Sequence, residues 1–292
     1  MNNILRFALT SLLIGSYGIS INSLADEDKF AKVEITATKL TEHVYMLTGA
    51  GGNIGVSAGK DGLLIIDDQF APLADKISAA LADIQAGKPK YIVNTHYHGD
   101  HTGGNGIFGQ TGTIFAHDNV LKRLASNQDF TKQALPSITY DQGINIHFNG
   151  DTLSLVHLGA GHTDGDSVIF WRDAPVVHMG DLFFKDRFPY IDLKGGGSVL
   201  GYRDSVATIL AKVDDNTKII PGHGELANKQ DLIKFKQMLD TSIDWMNTQL
   251  KSGKSLEAIK QHGLPNDLQG WGWKFISQES WIETLYNGLK SQ

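Results

Sequence analysis

The sequence predicts an α/β protein of four layers, an αββα sandwich in which two strand-rich sheets lie face to face with helices on both outer faces. Three observations predict it. Short apolar and β-branched runs, parted by Gly-rich turns, fill residues 32–67, and a helix and a buried strand follow them. A similar succession of strands recurs between residues 144 and 220, and long amphipathic helices then close the chain.

The chain has 292 residues, 41% hydrophobic and 20% charged, which suits a folded protein with a full core. Its first stretch differs from the rest. One basic side chain, Arg6, precedes a mostly apolar run from Phe7 to Ile21, and Ser23, Leu24 and Ala25 offer small residues at the positions a signal peptidase reads. Residues 1–25 are therefore expected to be a signal peptide, residues 26–292 one domain, and the mature protein periplasmic or secreted. Thr10, Ser11, Gly15, Ser16 and Gly18 interrupt the run and leave it short for a membrane span. No cysteine is present, so neither disulfides nor a lipid-modified N-terminal Cys are available, and stability must come from the core and from metal. A net charge of −6, one unit more negative without Arg6, argues against a nucleic-acid partner.

Strands are expected at Lys32 to Thr36, Val44 to Thr48, Ile54 to Ser57 and Leu63 to Asp67. The period then changes: Leu73, Ile77, Leu81 and Ile84 recur at helical spacing, with Pro72 near the start and Gly87 and Pro89 past the end. Tyr91, Ile92 and Val93 make a buried strand after that helix. Thr113 to Ala116 is another strand, and Asp118 is placed to cap a helix through Leu124. Asn127 to Gly143 has weak periodicity and reads as helical turn and loop. In the second half, strands are expected at Ile144 to Phe148, Thr152 to Leu158, Val168 to Trp171, Val176 to Met179 and Lys218 to Ile220. Helices are expected over Tyr202 to Val213, Asp231 to Leu250 and Glu279 to Leu289.

The chemistry concentrates where the Tyr91 strand ends. His96, His98, Asp100 and His101 fall within six consecutive positions. In extended chain alternate side chains share a face, so His96 and His98 can chelate one ion; Gly99 then lets the backbone swing Asp100 and His101 toward a second point. Imidazole with carboxylate suits zinc. Three later candidates, His162, Asp181 and His223, each follow an expected strand and adjoin a glycine. His117 stands alone and is expected to be structural, His157 and His178 to pack or support, and His43, His147 and His262 to lie on the surface.

The run from His96 to His101 resembles the H-x-H-x-D-H signature of the metallo-β-lactamase superfamily, and Gly161-His162-Thr163, Gly180-Asp181-Leu182-Phe183 and Pro221-Gly222-His223-Gly224 follow in that family's order. The resemblance implies the αββα fold and two zinc ions per chain. It implies that His96, His98 and His162 bind one ion, Asp100, His101 and His223 the other, and that Asp181 bridges them. Iron-using members often carry Glu where this chain has His98, so zinc is the expected metal. By the same analogy Asp67 supports the ligand loop, while Asp68 reads as a solvated turn.

Two zinc ions offset by two carboxylates and hydroxide leave a site of about +1, able to hold hydroxide near neutral pH and to polarise a carbonyl or phosphoryl oxygen. Hydrolysis is the expected reaction, with Asp100 orienting the nucleophile and relaying its proton. No Cys and no Ser motif of the nucleophile-elbow type is present, which disfavours a covalent intermediate. Gly-Asp-x-Phe around Asp181 resembles glyoxalase II and related thioesterases and lactonases, which favours an ester, thioester or lactone. Export favours the alternative, a β-lactamase; a non-catalytic zinc-binding protein is a third reading, disfavoured because all seven ligand positions are filled. Phe184, Phe188, Tyr190 and Gly195 to Gly197 form either a mobile flap or ordinary packing, with Trp271 and Trp273 as a second wall. The expected partner is a small-molecule substrate, with no membrane attachment once the signal is removed; the oligomeric state stays open.

Overall fold

The computed structural model describes residues 29–290. The expected signal peptide and the mature start at Asp26 lie outside them. One compact unit begins at Val33, runs through the last described residue and carries both sheets.

In the first sheet, β1 (Thr36–Lys39), β2 (Val44–Thr48), β3 (Ile54–Gly59) and β4 (Gly62–Ile66) form an antiparallel meander. β5 (Pro89–Val93), β6 (Thr113–His117) and β7 (Ile138–Tyr140) extend it in parallel, and the seven strands lie in chain order. In the second sheet β8 (Gly143–Phe148), β9 (Asp151–Val156), β10 (Val168–Trp171) and β11 (Val176–His178) are antiparallel, and β12 (Lys218–Ile220) adds in parallel beside β11. Each parallel step needs a crossover, which is where the helices enter. They are α1 (Ala74–Ile84), the single turns α2 (Gly99–Thr102) and α3 (Asn105–Phe108), α4 (Asp118–Ser126), α5 (Val199–Leu210), α6 (Lys229–Lys251), α7 (Leu256–His262) and α8 (Gln278–Lys290). Among the described residues no helix is long and apolar enough to cross a membrane.

Alternation along the strands builds the layers. Leu64 and Ile66 of β4 join Leu153, Leu155, Ile169 and Ile220 of the second sheet in one cluster, the core between the sheets. Leu63 and Ile65 point the other way and are still buried, so the outer face of this sheet is covered too. On the second sheet, Val177 and Ile219 meet Val206 of α5, Phe235 and Leu239 of α6 and Trp281 of α8. Each such side chain contributes about 2 kcal/mol by leaving water. The four-layer sandwich is as expected, and most elements fall within a residue or two of their expected bounds.

Four expectations differ. The strand expected from Lys32 begins instead at Thr36; it is an edge strand exposed along its whole length, so no apolar alternation marks it. Within Asn127–Gly143 lies the three-residue strand β7, too short to show a period. The side-chain cap of α4 is His117, whose Nδ1 accepts from the Asn119 amide, and Asp118 is the first helical residue. Gly99 does not act through unusual backbone freedom: its φ is not positive, and it simply opens the turn α2 behind His98.

Candidate metal centre

All seven expected ligands converge, and each sits where a strand has just ended. β5 delivers His96, His98, Asp100 and His101; β9, β11 and β12 deliver His162, Asp181 and His223 across the gap between the sheets. They form two groups, His96–His98–His162–Asp181 and Asp100–His101–His223, within each of which the ligand atoms lie within 4.8 Å of one another.

The outer hydrogen bonds decide which ring nitrogen faces inward. His162 Nδ1 lies 2.7 Å from the Tyr190 carbonyl and must donate to it. His98 Nε2 lies 3.1 Å from a carboxylate oxygen of Asp192 and donates as well. Thr95 gives its hydroxyl proton to Asp67, so at 3.0 Å it accepts from His96 Nδ1. Each ring thus places its outward proton on a partner, which leaves the other ring nitrogen, the one that can offer a lone pair, facing inward. His98 Nδ1 stands 3.1 Å from His96 Nε2 and 2.9 Å from His162 Nε2, three acceptors with no proton between them. Nitrogens 2.0–2.1 Å from a tetrahedral zinc stand roughly 3.3 Å apart, so a cation resolves the clash with little movement.

The second group carries another sign of the same kind. His101 Nε2 and Asp181 Oδ1 are buried and 3.0 Å apart, an ion-pair contact that does not reach hydrogen-bond geometry and leaves both atoms otherwise unpartnered. Buried polar atoms left so are costly unless something else engages them. Asp181 Oδ1 is also 3.3 Å from His223 Nε2, while its Oδ2 lies 3.4 Å from His162 Nε2 and 3.8 Å from His96 Nε2. One carboxylate thus faces both groups. Asp100 Oδ2 approaches His223 Nε2 to 3.3 Å and His101 Nε2 to 3.7 Å from the cavity side.

Charge is divided unequally between the groups in the metal-free chain. Burial, helped by the neighbouring His101, holds His96 well below the usual imidazole range, and burial lowers His162 to about 4. Burial opposes the charge on His101 and His223 as well, but nearby carboxylates, Asp181 foremost, outweigh it: His101 is raised well above its ordinary value and His223 to about 9. Asp100 and Asp181 resist burial through the same histidines and are held below the usual carboxylate range.

Several supports were not legible in the sequence. Asp67, expected as a support of the ligand loop, accepts from the Thr95 amide and hydroxyl and from His101 Nδ1. Asp68 is not a solvated turn: it is fully buried, its Oδ1 accepts from Gly104 N at 2.8 Å, and burial beside Asp67 raises its pKa well above the ordinary value. Asn53 donates to the carbonyls of Pro221 and Gly224 and so frames His223. The Tyr202 hydroxyl donates to the Asp181 carbonyl, and His178 Nδ1 accepts from Gly180 N. Asp192 takes protons from Tyr97 and His98 and from the Gly195 amide three residues on; that Asp-x-x-Gly turn is the one local signal that could have marked it. His157 and His178 do pack and support, His117 stacks on His157, and His43, His147 and His262 are exposed.

Of the expected flap, Phe184 and Phe188 belong to the core, Phe188 stacked on Trp281. Gly197 donates to the Asp192 carbonyl, and Trp271 packs on Phe235, so these residues make the contacts of the packing alternative. Tyr190 and Trp273 do line the cavity over the ligands, together with Phe275.

Comparison with known proteins agrees with this geometry. The chain is 26% identical over 167 residues to a hydroxyacylglutathione hydrolase of Polaromonas sp., covering 54% of this chain and 57% of that one. It is 23% identical over 222 residues to a metallo-beta-lactamase type 2 of Bacillus cereus, covering 70% and 82%. A solved metallo-beta-lactamase from Pontibacter korlensis superposes with a TM-score of 0.62 at 17% identity, over 71% of this chain and 99% of that one. The family model described as the metallo-beta-lactamase superfamily matches residues 47–223, from the end of β2 to the last of the seven convergent side chains, and this chain is a hydrolase belonging to that superfamily.

Proposed function

We propose that the chain is an exported dizinc hydrolase that cleaves an ester, thioester or lactone. The observation that carries this reading is Asp181, whose two oxygens face different histidine groups at 3.0–3.3 Å and 3.4–3.8 Å. That placement suits a carboxylate shared by two cations. Bound there, two zinc ions would supply a lowered pKa for water and a polarised substrate carbonyl. In the reaction, water's oxygen bonds to the acyl carbon and the acyl C–O or C–S bond breaks; one of the water's protons goes to the departing alcohol or thiol, which stays tethered in a lactone, and the other passes to solvent as the carboxylate forms. Asp100 lines the cavity with its side chain 26% exposed, where it can take the proton of the attacking water and hand it to the leaving group. His98, oriented by Asp192, and His162, oriented by Tyr190, hold their lone pairs steady through the cycle. Export rests on the basic, apolar and small-residue succession ending at Ala25.

The Bacillus cereus relative supports a second reading, β-lactam hydrolysis. Zinc-loaded protein tested on thioesters, lactones, phosphodiesters and cephalosporins separates the two. Ester-like substrates are expected to give the highest kcat/KM; a cephalosporin well above all of them would transfer the chain to the second reading. The mass of the exported protein is expected to begin at Asp26, and a retained Met1 would remove the export proposal.

A further inference from the structure

Over the convergent ligands lies a cavity of ≈ 640 Å³. Its polar lining is made of His98, Asp100, Asp181 and His223, all already assigned to the metal centre, and its walls are Phe70, Phe184, Tyr190, Trp273 and Phe275. Among the described residues no Lys or Arg lines it. Of the nearby cations, Lys185 Nζ donates to the Leu226 carbonyl and lies 3.4 Å from Asp231, Arg187 donates to the Lys185 carbonyl with its guanidinium packed 5.0 Å from the Trp273 ring, and Lys274, between Trp273 and Phe275 in sequence, is exposed and outside the lining. A carboxylate, phosphate or sulfate carried away from the scissile bond would thus find no counter-ion on the walls.

The aromatic corner is held in place. Trp273 Nε1 donates to the Phe188 carbonyl at 2.9 Å, and the Trp273 amide donates to the Ile276 carbonyl at 3.0 Å. Phe275 rests between Tyr190 and Trp273, each ring centre 5.6 Å from its own, yet stays 62% exposed. A phenyl ring fixed at a cavity mouth by two other rings and left open to water is a surface for a flat apolar group. Trp273 and Phe275 lie beyond residue 223, where the family match ends.

We infer that the pocket selects an uncharged ester or lactone bearing an aryl or branched alkyl group, with Trp273 and Phe275 as its specificity-determining residues. The inference rests on the ester-hydrolase reading and narrows it. Anionic substrates, glutathione thioesters and β-lactam carboxylates among them, are poor matches to these walls.

The test uses 4-nitrophenyl phenylacetate, acetate and hemisuccinate, which share one leaving group, on zinc-loaded protein. The phenylacetate is expected to exceed both others in kcat/KM by at least about tenfold, the worth of one ring leaving water. Phe275→Ala is expected to collapse that ratio through KM, and Phe275→Arg to shift preference toward the hemisuccinate. A hemisuccinate equal to or better than the phenylacetate, or a ratio unchanged in Phe275→Ala, overturns the inference. Ligand-observed NMR of phenylacetamide against succinamate on metal-free protein reads the walls without turnover. Phenylacetamide binding that Phe275→Ala weakens, with no ester cleaved, would sustain the pocket and sink the hydrolase reading. Esters cleaved without discrimination, and no phenylacetamide binding, would do the reverse.

Discussion

Asp67 holds a left-handed backbone, φ 64°, which costs a non-glycine residue about 1 kcal/mol. What the conformation gains is reach, since from that bend one carboxylate fixes Thr95 and His101 together. Strain of this kind persists where surrounding bonds over-determine it. Asp181 is the residue on which the function turns. Asp181→Asn is nearly isosteric and should leave the fold intact, yet lower kcat/KM by about 100-fold or more by removing a charge facing both histidine groups; full metal content and activity in that variant would refute the bridge. Protonation should also distinguish the two groups. His101 is raised above its ordinary value and His223 to about 9, so both carry a proton at pH 7 in the metal-free chain, whereas His96 and His162 are lowered and do not. Filling the Asp100–His101–His223 group must displace those protons, so its affinity should rise with pH up to about 9. The His96–His162 group should release none from these two rings near neutrality. Calorimetric zinc titrations in buffers of different ionisation enthalpy measure the release; equal release for both ions would contradict the assignment.

At the scale of elements, the chain beside the candidate ligands has almost no free volume at Gly222 and Gly52, although Gly99 and Gly159 stand in open space. A Cβ on Gly222 would stand 2.1 Å from Asp181 Oδ1 and 2.7 Å from the Gly180 carbonyl, and one on Gly52 would stand 2.1 Å from the His101 ring. Gly222→Ala should therefore fold while losing the ion at Asp100–His101–His223, with a zinc stoichiometry near one instead of two; wild-type stoichiometry and turnover would show that the loop yields. The candidate ligands were legible because each is local: five adjoin a glycine, and His96 and His101 share one short run with His98 and Asp100 just past an apolar strand. Their supports were not. Asn53 reaches residues 221 and 224, and Asp192 reaches His98, and no window of sequence contains both ends of such a bond. The same limit applies to short elements: β7 has three residues and α7 seven, less than either periodicity needs to declare itself. α6, with 23 residues and an Asn228–Asp231 capping box, showed its apolar stripe plainly.

At the scale of the molecule, the candidate ligand set joins two sheets that otherwise meet through an apolar core and a few polar bonds, Asn53 to the Pro221 and Gly224 carbonyls and Asn149 to Ser57 among them. His96, His98, Asp100 and His101 follow β5 of the first sheet, and His162, Asp181 and His223 follow three strands of the second. The alternation that puts Leu64 and Ile66 against Leu153 and Ile169 could be read from sequence; which loop faces which across the sandwich could not, because it depends on how the two sheets stack. A cation engaged from both sides binds only the stacked state, so it stabilises the fold by mass action. At a free zinc concentration 100 times the dissociation constant the gain is about 2.7 kcal/mol for each ion, or roughly 10–20 °C in Tm for two ions in a protein of this size. Chelation should therefore lower Tm by that amount, and zinc should restore it. His96→Ala, which removes a ligand from one sheet, and His223→Ala, which removes one from the other, should each blunt the zinc response while melting near the chelated protein. A Tm indifferent to zinc and chelator would mean that the sheets are held by their core alone and that these seven side chains do not act together on one pair of ions.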